Sequence, residues 1–491
     1  MKHLAFVLMA CSAFAQTPIR TVALPDASSV VHFRVVFTTG SAEAAKPGLA
    51  NLTAAMIARG GTKKLTYRQV TDALFPLAST VNVQVDQEMT TFSASTHTDN
   101  LETFYKLFRA MLLEPGWRED DFARLKDEAV NALTVELRGN NDEELGKEVL
   151  YSAIYRGTPY EFPNLGAVES LRRITLDDVR SFYRSHYARS ELIIGLAGGY
   201  KPEFLERMKK DFGALPPLGR VGQVEGPREV KPALIEHSRA LLVEKNTRSV
   251  AYSFGFPIEV RRGDPDFPAL LVMQTYLGQH RSGGRLYDRI REVRGINYGD
   301  YAYIEYFPRG MFLMEPPQNV ARRSQLFQIW IRPAEPPTAA FTLRLAHYEL
   351  AKLIREGIPA DGFERAKENL SKFVDVLTRT KQAQLGYAID SLFYGMPDYN
   401  AYIKQGLAKL TLADVNAAIR RHLRTDRIQF VAVTANAAGL AKQLAGTGPT
   451  PITYNSAKPA EVLEEDKLVE RWDMGLRPED ISIVPVEQVF E

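Results

Sequence analysis

Cysteine is almost missing from this chain. Its 491 residues include one, Cys11, so no disulfide can form within the chain and no zinc site can be built from thiolates. Histidine is scarce and scattered. His3, His32, His97, His186, His237, His280, His347 and His422 are the whole set, and no two stand within five residues of each other. No helix can therefore offer two imidazoles, one turn apart, to a shared metal ion. Neither sign of charge is in excess: 61 basic residues face 59 acidic ones, a net charge of +2. That removes the global electrostatic case for binding nucleic acid or an anionic membrane. No apolar run reaches the roughly 18 residues that a membrane-spanning helix needs, so no transmembrane segment is expected. There is no G-x-S-x-G elbow and no G-x-x-x-x-G-K-[ST] phosphate loop, which excludes the commonest serine hydrolase and nucleotide-binding patterns.

What is present is ordinary globular material, 45% hydrophobic and 24% charged. At about 150 residues per domain, the length suggests three domains or two large ones. The first residues read differently. Lys2, the apolar stretch from Leu4 to Ala10, and Ala13-Phe14-Ala15 before Gln16 have the pattern of an export signal with its cleavage site. Residues 1–15 are read as a signal segment, and the mature chain as periplasmic or otherwise exported. Leu8-Met9-Ala10-Cys11 also fits a lipoprotein cleavage box, which would attach a lipid anchor at Cys11.

The remainder is a tandem duplication. Ile174-Thr175-Leu176-Asp177-Asp178-Val179 leads to Arg184 and His186, and Leu410-Thr411-Leu412-Ala413-Asp414-Val415 leads to Arg420 and His422. Each copy opens with Thr and an Asp three residues on, which marks a capped helix start. Phe122-Ala123-Arg124-Leu125-Lys126 matches Phe363-Glu364-Arg365-Ala366-Lys367, and Ser152 and Tyr155 match Ser391 and Tyr394. The repeat is far longer than the roughly 20–50 residues of solenoid repeats, so each copy is a whole domain. The equivalence of His186 and His422 argues for a shared structural role.

In the first copy the patterning predicts a strand over Val31–Phe37 and a helix from about Leu49 to Arg59 that stops at Gly60-Gly61. A helix near Tyr67 to Leu77 follows, then strands Ser79–Val85 and Met89–Ser95 joined by a short polar turn at Asp86-Gln87. Helices are predicted at about Leu101–Leu113 and Glu119–Leu137. Strands and helices mix without regular βαβ alternation, which points to an α+β fold with an antiparallel sheet. The expected domains are residues 20–215 and 236–440, joined by a Pro- and Gly-rich linker over 216–235. Residues 441–491, with an acidic stretch from Glu461 to Asp466, lie outside the repeat and read as an extended C-terminal segment.

The run from Pro47 to Met56, ending in Arg59-Gly60-Gly61-Thr62, resembles the zinc-helix segment of the pitrilysin/insulinase metallopeptidases, the family that includes the mitochondrial processing peptidase. The resemblance covers roughly residues 20–440. It implies two homologous α+β domains, each an antiparallel sheet packed with helices, arranged as half of a clamshell around a peptide. Active members carry H-x-x-E-H here. Histidines at i and i+4 share one Zn²⁺, and the glutamate deprotonates the metal-bound water. In this chain the three positions are Asn51, Ala54 and Ala55. The family's third ligand, a downstream glutamate, should fall around Ala132 to Thr134, where nothing can ligate. Glu128 and Glu136 would each need a shift of register and read as solvated helix charges. The site is expected to be degenerate, with no metal in this chain.

The second repeat contains Gly283-Gly284-Arg285-Leu286-Tyr287-Asp288-Arg289-Ile290-Arg291-Glu292-Val293-Arg294-Gly295-Ile296-Asn297-Tyr298. It resembles the family's C-terminal-domain signature, in which an arginine and a tyrosine seven residues later face the zinc. The matching positions are Arg291 and Tyr298, whose donors can stabilise a carbonyl gaining negative charge. Spacing alone favours Arg291 as a surface residue of an amphipathic helix and Tyr298 as a strand residue packed on the core; the resemblance favours the functional role. Gly283 and Gly284 would form a substrate loop.

The resemblance implies the non-catalytic subunit of a heterodimeric zinc peptidase, inactive alone. Its partners would be a peptide substrate and a homologous subunit carrying H-x-x-E-H, with zinc held in that partner. The second reading is a peptide-binding or scaffolding module without any peptidase role.

Overall fold

The computed structural model describes residues 18–217, 230–278, 283–307, 316–446 and 448–491. The signal segment, Cys11 and most of the 216–235 linker lie outside the described residues.

Two mixed sheets organise the chain. In the first, β1 (Arg20–Pro25), β2 (Val30–Phe37), β3 (Val81–Val85), β4 (Thr90–His97) and β5 (Leu192–Gly198) run in the order β1-β5-β2-β4-β3. In the second, β6 (Arg239–Glu244), β7 (Val250–Ile258), β8 (Asp300–Tyr303), β9 (Gln325–Ala334) and β10 (Gln429–Thr434) repeat that order as β6-β10-β7-β9-β8. The expected antiparallel sheet needs one correction: β1 pairs with β5, and β6 with β10, in parallel. In each copy the long excursion between those strands returns on the same side, as a parallel partner requires.

The repeat is visible in local detail. Helices Leu176–His186 and Leu412–His422 both begin with a reciprocal capping box, Thr175 with Asp178 and Thr411 with Asp414. Such caps satisfy donors that an α-helix start leaves unpaired.

The two domains exchange helices. Helix Asp142–Ile154 belongs to the first repeat but packs on β7 and β10 of the second sheet. Its counterpart, Lys381–Tyr394, packs on β1, β2 and β5 of the first. This explains the burial of β2. Val31, Phe33, Val35 and Phe37 face the first domain's own core, as alternation predicts. Val36 faces the other way and is buried with Ile193 against Leu385 and Ile389 from the exchanged helix.

The turn at Asp86-Gln87 is not a solvated one. Asp86, Gln87 and Glu88 are buried, because Gln318–Arg323 of the second domain presses onto them. Arg322 Nε donates to Asp86 at 3.0 Å, Arg323 pairs with Glu88, and Arg34 reaches Asn319 at 2.5 Å. Removing one partner of such a buried pair costs about 3–5 kcal/mol, since it strands the other charge.

Residues 441–491 are not extended throughout. They hold helix Ala460–Val469 and strand β11 (Ile481–Pro485), which adds to β6 in parallel. The segment then crosses to the first domain, where Arg138 donates to the Val489 carbonyl at 2.5 Å and pairs with Glu491 at 2.9 Å. No described helix is long and apolar enough to cross a membrane.

Candidate functional site

The helix that would carry a zinc motif is Leu49–Arg59. Gly48 at φ 91° and Gly61 at φ 69° bracket it, turns that a side chain would strain. Along it, Ala54 is fully buried, while Asn51 and Ala55 are half-buried. An amide and two methyl groups supply no imidazole and no base.

The downstream helix Glu119–Asn131 continues as a wider π turn over Ala132–Leu137, a feature common at functional sites. Leu133 is buried there, and the Thr134 hydroxyl donates to the Val130 carbonyl at 2.9 Å. Glu128 is not a free helix charge. It accepts from Arg59 at 2.5 Å and from Arg124 at 2.9 Å. Burial opposes its ionisation, but those two guanidiniums outweigh it and hold its pKa below the usual carboxylate range. Glu136 is exposed. The residues present do not fit a zinc ion, and no group of three His, Cys, Asp or Glu among the described residues is placed to hold a metal.

The histidines have other partners. His186 stacks on Phe182 at 4.1 Å, whereas His422 lies 2.7 Å from Asp266. The two equivalent positions are thus filled in different ways. His347 accepts from Trp472 Nε1 at 3.1 Å and lies 2.9 Å from the Thr425 carbonyl. Burial pushes its pKa down to about 4, so it is neutral at physiological pH.

Arg291 and Tyr298 come together. Arg291 lies in the π turn Tyr287–Glu292, and its guanidinium lies 4.8 Å from the Tyr287 ring centre and 5.2 Å from that of Tyr298. Stacking on ring faces leaves the N–H edges of an arginine free. The nearest carboxylate is its neighbour Glu292, at 3.6 Å. Tyr298 is 77% exposed at a bend before β8, so it is not a strand residue packed on the core.

Its neighbours are pinned. Arg285 pairs with buried Glu349 at 2.8 Å, Arg294 is buried against Asp466 at 2.8 Å, and Arg289 pairs with Glu465. Three of the four arginines of this short segment thus pair with carboxylates from other elements, and Arg291 does not. Gly283 and Gly284 line a hollow of about 680 Å³ beside Tyr276, Tyr287 and Asn369. A Cβ on Gly283 would touch nothing within 4 Å, so packing does not require glycine there. Among the described residues, no hydrogen bond or ion pair joins this segment to the 49–59 helix.

Sequence reasoning missed the interdomain cluster of Asp86, Glu88, Arg322 and Arg323, and Glu148 beside it. The only signal was a charged turn, which composition alone reads as solvated.

Comparison with known proteins bears on the fold and the family. Residues 21–167 match the family described as Insulinase (Peptidase family M16), and residues 173–370 match the Peptidase M16 inactive domain. A Helicobacter pylori protein named "Non-peptidase homolog YmxG" is 22% identical over 390 residues, 79% of this chain and 84% of that one. The crystal structure of a peptidase M16 inactive domain from Pseudomonas fluorescens superposes with a TM-score of 0.71 at 22% identity, covering 85% of this chain and 95% of the other. A protease from Helicobacter pylori superposes equally well, at 0.71 and 16% identity, over 84% of this chain and 96% of its own. With two M16 domains in tandem and no ligand or base on the zinc helix, the chain belongs to the insulinase family, peptidase family M16, as a non-catalytic member.

Proposed function

We propose that this chain is the non-metal-binding subunit of a heterodimeric, exported zinc peptidase. A homologous subunit bearing H-x-x-E-H holds the zinc. This chain contributes a peptide-binding wall and two hydrogen-bond donors, Arg291 and Tyr298, to the partner's active site. The observation that carries the reading is a contrast within one molecule. The zinc helix carries no ligand or base at positions 51, 54 and 55, yet exposed Tyr298 lies against half-buried Arg291, whose one ion-pair partner among the described residues is its chain neighbour Glu292 at 3.6 Å, and buried ion pairs brace the segment on either side.

In this reading the Arg291 guanidinium and the Tyr298 hydroxyl donate to the scissile carbonyl as charge builds on its oxygen. A preorganised donor of this kind contributes about 10²–10³ in kcat. Gly283 and Gly284 border the hollow next to the pair and supply a loop along which peptide backbone can lie. The export-signal pattern read in residues 1–15 supports a complex outside the cytoplasm, either soluble or tethered by a lipid on Cys11; the intact mass of the mature chain distinguishes the two.

The test is co-expression with an H-x-x-E-H homologue encoded in the same genome. Peptidase activity should appear only in the mixture and fall on Arg291→Ala or Tyr298→Phe. Undiminished activity in both variants removes the assigned roles.

A second reading, a peptide-binding or scaffolding module with no part in peptidase chemistry, is favoured by the "non-peptidase" name of the Helicobacter relative, which this chain matches over most of its length. Absence of any H-x-x-E-H homologue from the neighbouring reading frames would raise it above the first.

A further inference from the structure

A groove of about 1190 Å³ runs along the second domain between residues 230–235, the end of β7 and the end of the 412–422 helix. Seven of its lining residues are Lys or Arg and two are Asp or Glu. In a chain with a net charge of +2, so local an excess does not follow from composition.

Some of these cations are neutralised. Arg421 pairs with Asp266, Arg323 with Glu88, and Arg427 with Asp426 at 3.1 Å. Arg261, Arg420 and Arg424 have no carboxylate partner among the described residues. Arg424 donates to the Pro257 carbonyl at 2.9 Å and lies over the Phe256 ring. Burial and then the neighbouring Arg427 lower its pKa, against a smaller opposing pull from Asp426. Cations at a helix C-terminus complement the macrodipole, which accounts for Arg420 and Arg421. It does not account for Arg261 and Lys231 on the opposite walls.

The remaining wall is main chain. Residues 230–235 belong to no helix or strand, and the backbone groups of Ala233, Leu234 and Ile235 make no hydrogen bond to a described residue. Leu234 is 71% exposed. Exposed main chain outside any helix or strand, as at Ala233 and Leu234, is what a second strand can pair with.

We infer that this groove binds an acidic, extended polypeptide segment, with its carboxylates taken by Arg261, Arg420 and Arg424 and its backbone laid along residues 233–235. Guanidinium edges match carboxylates in bidentate geometry. A compact phosphate would use the arginines but neither the exposed main chain at 233–234 nor exposed Leu234. The inference stands independently of the roles of Arg291 and Tyr298.

Fluorescence anisotropy of a labelled octaglutamate peptide, titrated with the full chain in low salt, tests it. Binding should weaken by at least about tenfold in the Arg261→Glu/Arg420→Glu double variant, because both attractions become repulsions. Both residues are exposed, and circular dichroism melting verifies the fold; Arg261→Gln alone should give a smaller loss. Arg68→Glu, a 92% exposed side chain on the other domain, should leave binding unchanged. Failure of octaglutamate to bind, or equal weakening by Arg68→Glu, overturns the proposal. So does tripolyphosphate binding through the same arginines when the peptide does not bind.

Discussion

The guanidinium of Arg294 is buried against the carboxylate of Asp466, 2.8 Å from Nε to Oδ1, across a sequence separation of 172 residues. The acidic stretch of the C-terminal segment is therefore counter-charge for the Arg291–Tyr298 signature. Glu465 serves the same end. It accepts from Arg294 and Arg289 and lies 3.2 Å from Lys352. Burial opposes its charge, yet the two arginines outweigh that and hold its pKa at about 2.

Acid should loosen this anchor. The native pKa of Glu465 lies below the unfolded value of 4.5. Its contribution is thus fully present above pH 4.5 and lost as pH falls toward 2. The shift corresponds to on the order of 3 kcal/mol, less whatever solvent screens at this partly accessible site. Glu465→Gln should lower Tm at pH 7 by several degrees and flatten the acid limb of stability between pH 4.5 and 3. Thermal melting across that range measures both effects; an unchanged profile contradicts the assignment.

Glu148 should act with the opposite sign. It lies on the exchanged 142–154 helix near Arg322 and Asp86. Burial raises its pKa to about 7; Arg322 counters that, and Glu144 and Asp86 add to it. The folded state then keeps a proton that the unfolded state releases near 4.5. Between those values the folded state binds more protons, so stability falls as pH rises from 4.5 to 7 and levels off above. Glu148→Gln should raise Tm at pH 8 and change it little at pH 4.5. Equal shifts at both pH values would show that the carboxyl is not protonated in the fold.

Much of this was legible in the residues. Period and caps located the 49–59 helix, and the absence of donors at 51, 54 and 55 could be read without coordinates. The offset between Thr175 and Thr411 exposed the duplication, because capping boxes are local. The helix exchange was not legible, since a helix's own pattern shows that one face is buried but not against which sheet. The Asp86–Glu88 turn misled for the same reason. Charge in a tight turn implies solvent unless a distant segment supplies arginines, and Arg322 and Arg323 lie some 235 residues away. Tyr298 could not be placed because phenol side chains serve cores and surfaces alike.

The exchange makes an asymmetric prediction at two glycines one residue out of register. Gly386 and Gly146 occupy corresponding turns of the two exchanged helices. A Cβ at Gly386 would sit 2.6 Å from the Gln318 Cβ, while one at Gly146 would have its nearest contact at 3.4 Å, with the Ser253 hydroxyl. Gly146→Ala should be neutral or stabilising by up to about 1 kcal/mol through helix propensity. Gly386→Ala should destabilise by about 1–3 kcal/mol, because overpacking must push the 318–323 segment off the first domain. Denaturant melts of the two variants decide between this and an exchange with equal slack on both sides.

Ala54 gives the sharpest test of how far the zinc helix has departed from catalysis. Its methyl group is fully buried in the first domain's core, so a carboxylate there would lose its water and find no partner. Ala54→Glu should therefore cost several kcal/mol, while Asn51→His and Ala55→His, at half-buried positions, should cost much less. Combining all three would restore two imidazoles and a base but not the third ligand, because Leu133 is buried in the π turn and Glu128 is held by Arg59 and Arg124. A catalytic zinc site needs three protein ligands. Atomic absorption on the gel-filtered triple variant should find less than one zinc per chain, with Tm lowered. Stoichiometric zinc that survives gel filtration would mean that a third donor, most directly Glu128 released from its arginines, can still swing into the old site.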